Sequence, residues 1–519
     1  MINNKLVSAI NNRSVKVRFM ASLLANTIRM GLGFLTGLIV ARGLGTADFG
    51  NYSFLLGSFT SITALLDMGT SSAFYTFLSQ RKHSLRFYLY YISWLVIQFI
   101  FVLILIAFIF PQAWRDKIWL GLPKNMIILS FMASFMVAKI WPTVMQTGEA
   151  IRATVIVQLG NVLLAAFYFC IVLTMIFLNY LTIPNLFVAL ILTNLLFSFI
   201  LAKRLKKDLI VEAEDGLSDV FDKFKSYCGP LAIYGLVGFA YSFADVWLLQ
   251  KFGGAVEQGL YSVGYRFGAV CLIATTSILR IFWKEIAEAN ESGDKERLYY
   301  LYVKTSRSLC FVSAFGACFL IPFSKEILTL LGSEYESGYI CLAIMFIYPV
   351  YQSLGQINGS YFHATAQTRL HSTIGIIMMI VSVPVTYFVL APSSNMIPGL
   401  GLGSVGLALK MVILVAVTVN ISRFFICTRS NWSFDFLNQF MVIGLLLSAS
   451  FVIKVFLIWI WHILDTSFSG MLTMIFCVPI YVLIAGVIIY SFPKLGGLER
   501  RQIRSLVNFI SRPKKTKEY

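Results

Sequence analysis

Apolar runs of about 20 residues recur along the whole chain, and few folds can use them. A helix of that length covers the ~30 Å hydrocarbon core of a bilayer at 1.5 Å rise per residue. A water-soluble globule cannot hide that much apolar surface. Composition agrees, with 58% hydrophobic and 13% charged residues, where a soluble domain has roughly a quarter charged. The mean hydropathy is +0.78. The expected class is an all-α polytopic membrane protein.

The hydropathy predicts about 14 transmembrane helices. They cover roughly 17–41, 49–78, 87–110, 125–147, 154–178 and 184–202, then 227–250, 259–283, 306–331, 339–363, 372–391 and 401–426. The last two are 436–461 and 471–492. Pro322, Lys325 and Glu326 make the end of the ninth look interfacial.

The formal charge of +18 does not point to nucleic acid. Lys and Arg cluster at the ends of the apolar runs, where topology needs them, and no separate basic domain exists. With the N-terminus in the cytoplasm, inside loops and tails hold about 30 Lys and Arg and outside loops about five. RKHSLR (Arg81–Arg86), KRLKK (Lys203–Lys207) and the final SRPKKTKEY all fall inside. An even number of spans then leaves both termini cytoplasmic. The outside connections are short, the longest running from about Pro111 to Lys124.

Several chemistries are disfavoured. The eight Cys (Cys170, Cys228, Cys271, Cys310, Cys318, Cys341, Cys427 and Cys477) form no CxxC pair and no metal spacing. The four His are scattered, so neither a metal site nor a His-based triad is suggested. No phosphate-binding GxxxxGK[ST] loop appears, as an ATP-driven exporter would need. No cleavable signal is apparent. A membrane polymerase or ligase would show a large outer loop with carboxylates or His, and none is found. The chain reads as a non-enzyme, with no catalytic residues and no cofactor.

One motif is written twice. RGLGTADFGNYS (Arg42–Ser53) and KFGGAVEQGLYS (Lys251–Ser262) align without a gap. Gly45 falls on Gly254, Gly50 on Gly259, Tyr52 on Tyr261 and Asp48 on Glu257. Six helices separate the two hinges, so both face the outside. That is a parallel repeat about an axis along the membrane normal, whose halves face each other across a central cavity. It gives an N-lobe at 17–202, a cytoplasmic linker at 203–226 and a C-lobe at 227–426. Helices 13 and 14 follow at 436–492, with tails at 1–16 and 493–519. The glycines permit a tight reversal at the headgroups, and Tyr52 and Tyr261 begin the next helices at a depth that favours Tyr.

At these residues a family resemblance emerges. ARGLGTADFGNYSFLLG followed by LLDMGTSSAF resembles the N-terminal signature of the polysaccharide-exporter branch of the multidrug/oligosaccharidyl-lipid/polysaccharide (MOP) superfamily, which holds the Wzx-type O-antigen flippases. FGGAVEQGLYSVGYRFG, ESGDKERLYYLY and EILTLLGSEYESG resemble later family stretches, so the likeness covers most of 15–365. FWKEIAEA departs from it, since the family often has a Pro near Trp283.

The resemblance implies a flippase of undecaprenyl-pyrophosphate-linked oligosaccharide units in the bacterial inner membrane. Its product would serve O-antigen and lipopolysaccharide, capsule or exopolysaccharide. Membrane lipids, the polymerase and the chain-length machinery are the implied partners. Lipid II or multidrug export within the same superfamily is the alternative; drug exporters of this fold have typically 12 helices.

A cationic, water-filled cavity would offset the desolvation of a pyrophosphate and its sugars. Among the cations within predicted spans, seven stand out: Arg29, Lys139, Arg266, Arg280, Lys325, Lys410 and Lys454. A charge deep in a span costs at least ~2.5–3.5 kcal/mol on insertion scales, so each needs a reason. Arg29 is the deepest and shares a polar, small-residue face with Asn26 and Gly33. It either faces the cavity or pairs with Asp67 near the middle of helix two. Arg266 and Arg280 could form a basic track along helix eight, and Lys139 and Lys410 are further cavity candidates. Lys325 and Lys454 read as interfacial. Apart from the interfacial Glu326, Asp67 and Asp245 are the carboxylates within spans, for H⁺ or Na⁺ coupling or for charge pairing.

Overall fold

A computed structural model describes residues 15–80, 83, 85–206, 217–463 and 470–500. The expected basic tail beyond residue 500, the N-terminal tail to residue 14 and linker residues 207–216 lie outside the described residues. Every regular element among the described residues is helical.

The chain runs through α1 (Val15–Asp67), α2 (Thr70–Gln80), α3 (Leu85–Ile104), α4 (Gln112–Ile118), α5 (Lys124–Phe135) and α6 (Trp141–Ala150). Next come α7 (Thr154–Phe177), α8 (Ile183–Leu205), α9 (Leu217–Cys271), α10 (Ile273–Glu291), α11 (Lys295–Leu320) and α12 (Ser324–Thr329). The last six are α13 (Tyr339–Met345), α14 (Tyr348–Ala364), α15 (Thr368–Leu390), α16 (Gly403–Ser430), α17 (Leu437–Ile463) and α18 (Gly470–Ser491).

Twelve helical stretches among the described residues are long and apolar enough to cross a membrane. Two of them, Ser22–Asp67 and Leu231–Val270, run straight through the repeated hinges. Each is broken at one glycine: Gly45 has φ 76° and ψ 173°, and Gly254 has φ 79° and ψ −177°. Side chains with a Cβ resist this positive φ, so the motif keeps glycine at both places. The two copies therefore share a backbone conformation as well as letters.

Other breaks have local causes. The second arm of α1 stops at Asp67 because Met68 and Gly69 take positive φ (43° and 87°), so the expected helix 49–78 is two pieces. α5 continues into a π turn, Met136–Ile140, with Trp141 N–H donating to Met136 O. Pro142 explains the bulge: it offers no N–H, and its ring displaces the carbonyl one turn back. The expected ninth helix ends at Leu320 and gives way to a 3₁₀ turn at Ile321–Phe323 and to α12, around Pro322.

The chain divides into two compact units, Met1–Val263 with Met379–Leu407, and Gly264–Met378 with Ala408–Tyr519. In the first, α1 packs along α7 and α5, and α8 closes against α5 and α7. Large rings fill that interface: Phe59 stacks on Trp119 at 5.5 Å and meets Phe131 at 5.6 Å. Helices in lipid gain from such close packing rather than from leaving water. In the second unit, α11 packs on α14 and α17, and α18 covers α17. Gly264 and Gly268, four residues apart on one face, let α9 approach Met345 and Cys341 closely.

Candidate functional site

The membrane-embedded charges were the sequence's candidates, and the structure sorts them. Lys139 is brought to Asp67: Nζ lies 2.5 Å from Oδ1, with side-chain exposures of 4% and 23%. The sequence offered Arg29 as the partner of Asp67; the structure gives that place to Lys139. Geometry explains the exchange. Asp67 sits at the break before α2, where its carboxylate accepts from Ser71 N at 3.3 Å and Ser71 Oγ at 2.5 Å. The π turn rotates Lys139 off the regular helical register onto that carboxylate. Tyr91 OH donates to Ser71 Oγ at 3.4 Å, and Gln98 Nε2 donates to Leu66 O at 2.9 Å, which ties α3 to the same break. This arrangement neutralises and holds; Lys139 is buried and engaged.

Arg29 is different. It is exposed, and it makes no hydrogen bond or ion pair among the described residues. Asn26, one turn away, donates to Ser22 Oγ at 3.5 Å, and an added Cβ on Gly33 would meet nothing within 4 Å. The face expected from the sequence is therefore polar, small and open.

Asp245 is buried, and Thr386 Oγ1 lies 2.7 Å from its Oδ1. Arg266 is half-buried and lies on the helix face opposite Gly264 and Gly268. Lys410 is buried at 3% exposure. The Arg280 side chain lies outside the described residues. Lys454 is anchored by Pro322 O at 2.6 Å and Glu326 Oε1 at 2.5 Å, and Lys325 pairs with Glu336 at 2.6 Å. Sequence reasoning passed over Arg423, which is buried near Tyr302, Cys310 and Cys427. Its place near the end of a span hid its burial.

The two hinges meet each other. A Cβ on Gly50 would strike the Ala255 carbonyl, and a Cβ on Gly259 would strike the Thr46 carbonyl. Under the repeat these are the same contact seen twice, since Gly50 corresponds to Gly259 and Thr46 to Ala255. Gln250 Nε2 donates to Asn51 Oδ1 at 2.9 Å beside it. Tyr52 is buried and stacks on Phe187 at 5.3 Å rather than facing headgroups. Glu257 Oε2 accepts from Ser404 N at 2.6 Å and so caps α16. The glycines are needed for close approach as well as for the turn. That second reason is invisible in a single copy of the motif.

The comparisons agree with this architecture. The family described as polysaccharide biosynthesis protein matches residues 18–283. No curated protein matches the sequence. Among solved structures, the lipid II flippase MurJ in an inward closed conformation is similar, with TM-score 0.68 and 13% identity over 91% of this chain and 99% of that one. A MOP superfamily transporter from Pyrococcus furiosus gives TM-score 0.53 and 14% identity over 81% and 97% of the two chains. An outward-facing multidrug resistance MATE family transporter gives TM-score 0.52 and 14% identity over 82% and 97%. The chain belongs to the polysaccharide biosynthesis protein family and has the fold of MOP-superfamily transporters.

Proposed function

We propose that the protein flips undecaprenyl-pyrophosphate-linked oligosaccharide units from the cytoplasmic to the periplasmic leaflet of a bacterial inner membrane. The units would feed O-antigen, capsule or exopolysaccharide synthesis. In this reading the two glycine breaks are full reversals, so the two broken helices count twice and the spans number 14. Both termini then lie in the cytoplasm.

One observation carries the reading: Arg29, deep in a span, is exposed on a polar, small-residue face and has no partner among the described residues. Exposed to lipid, it would cost at least ~2.5–3.5 kcal/mol. Exposed to a water-filled cavity, it costs little and attracts a pyrophosphate. Arg266, Arg280 and Lys410 are assigned as further substrate-binding cations, while Lys139 is assigned to charge pairing with Asp67. The interlocked hinges support alternating access: they close the outer side when packed and open it when they part. Ion coupling, to H⁺ or Na⁺, would fall to Asp67 or Asp245. Export unchanged after both gradients are dissipated would remove that role.

Lipid II export is the second reading, favoured by the similarity to the MurJ fold. Deleting the gene and identifying the lipid that accumulates separates the two. A retained lipid-linked repeat unit with loss of mature polymer is expected. Retained lipid II supports the second reading, and normal polymer with no retained intermediate rejects both.

A further inference from the structure

A groove of about 460 Å³ opens beside the Asp67 break, between the end of α1, the outer face of α3 and the first three turns of α9. Leu66, Tyr90, Trp94, Ile97, Phe221 and Phe224 form its walls, and Lys225 is its charged member. Its size falls within the range of small-ligand sites.

The groove's location selects its occupant. The α3 wall belongs to the candidate span Leu85–Ile109, the most hydropathic of the twelve at 2.9. The α9 wall, residues 220–228, lies just ahead of the span that starts at Leu231. The groove therefore straddles a membrane interface, with an apolar end in hydrocarbon and a lysine at headgroup depth. Trp94, Ile97 and Phe221 are 45%, 59% and 64% exposed, so these apolar groups meet whatever fills the groove. Tyr90 and Trp94 are rings of the kind that gather at this depth.

Charge selects the headgroup. Asp67, between the groove residues Leu66 and Met68 in the chain but not part of the lining, is already neutralised by Lys139. Lys225 is exposed and forms no ion pair among the described residues, with Asp222 one turn away outside the groove. The groove thus carries one uncompensated positive charge at its headgroup end.

We infer that this groove is a binding site for an anionic glycerophospholipid of the surrounding bilayer. One acyl chain lies along Leu66, Trp94 and Ile97, and the phosphate sits at Lys225. The lipid braces the start of α9 against α3 next to the Asp67 break, whatever substrate the protein exports.

Native mass spectrometry of the full-length protein tests this, after exchange into mixtures of phosphatidylglycerol and phosphatidylcholine. The wild type should retain one phosphatidylglycerol, with a preference of about fivefold from one lysine at the surface. Lys225→Glu should erase the preference. Lys223→Glu, on the same turn but outside the groove, should keep it. Ser93→Trp, which fills the groove, should lose both lipids while its thermal unfolding stays near that of the wild type. Lys225→Glu retaining the preference would overturn the inference. So would Lys223→Glu abolishing it as fully, since that would mean general surface attraction. Retention of undecaprenyl phosphate in place of phosphatidylglycerol would also overturn it.

Discussion

The two copies of the repeat share a backbone and differ in what restrains them. Gly45 and Gly254 take nearly the same φ and ψ. In the second copy the hinge acid, Glu257, caps α16 through Ser404. In the first copy the corresponding Asp48 is exposed, and the restraint comes 19 residues later (67 − 48), where Asp67 meets Lys139. Position 276, which the constant offset sets against Asp67, is a threonine. One half is thus held at its hinge and the other at the far end of its arm. The duplication preserved the conformation that only glycine supplies, while the charges diverged to give each half its own anchor.

Removing the first anchor should have the largest effect. Asp67→Ala leaves Lys139 buried and unpaired, which costs about 3–5 kcal/mol. It should appear as a strong drop in the thermal unfolding midpoint. Asp67→Asn with Lys139→Met should recover most of the loss, and failure to recover would mean the pair does more than neutralise.

Forcing the hinges apart comes next. Gly50→Val drives side-chain atoms into the Ala255 carbonyl and Gly259→Val into that of Thr46. Overpacking of this kind costs typically ~1–3 kcal/mol. Because the contact is reciprocal, the two variants should be alike. Each should raise labelling of a cysteine placed at Asn51 by an impermeant thiol reagent. Unequal labelling would break the symmetry of the contact.

The smallest effect compares the acids. Glu257→Gln weakens a charge-assisted cap and should cost about 1 kcal/mol. Asp48→Asn should stay within about 0.5 kcal/mol, as an exposed substitution. Equal effects would deny the asymmetry.

Much of this was legible in the sequence. The apolar runs gave the helices and the repeated letters gave the hinges, because periodicity and glycine placement are local signals. The breaks inside helices were less legible. The stop at Met68–Gly69 and the π turn before Pro142 had weak cues in MG and WP, but hydropathy runs straight through both. Partnership was not legible. Lys139 reaches Asp67 only because a bulge and a break coincide across 72 positions. Arg423 falls inside the expected span 401–426 without being singled out there, and only packing shows that it is buried. Likewise, Gly50 and Gly259 read as turn residues until the two copies were seen in contact.

The central claim is that Arg29 lies in an aqueous cavity and handles a lipid-linked pyrophosphate. The direct measurement is flipping of undecaprenyl-pyrophosphate-linked oligosaccharide in proteoliposomes, comparing the wild type with Arg29→Ala at equal insertion. The account predicts translocation by the wild type and a loss of at least about tenfold in the variant, equivalent to about 1.4 kcal/mol. Full flipping by Arg29→Ala, or none by the wild type, would contradict it.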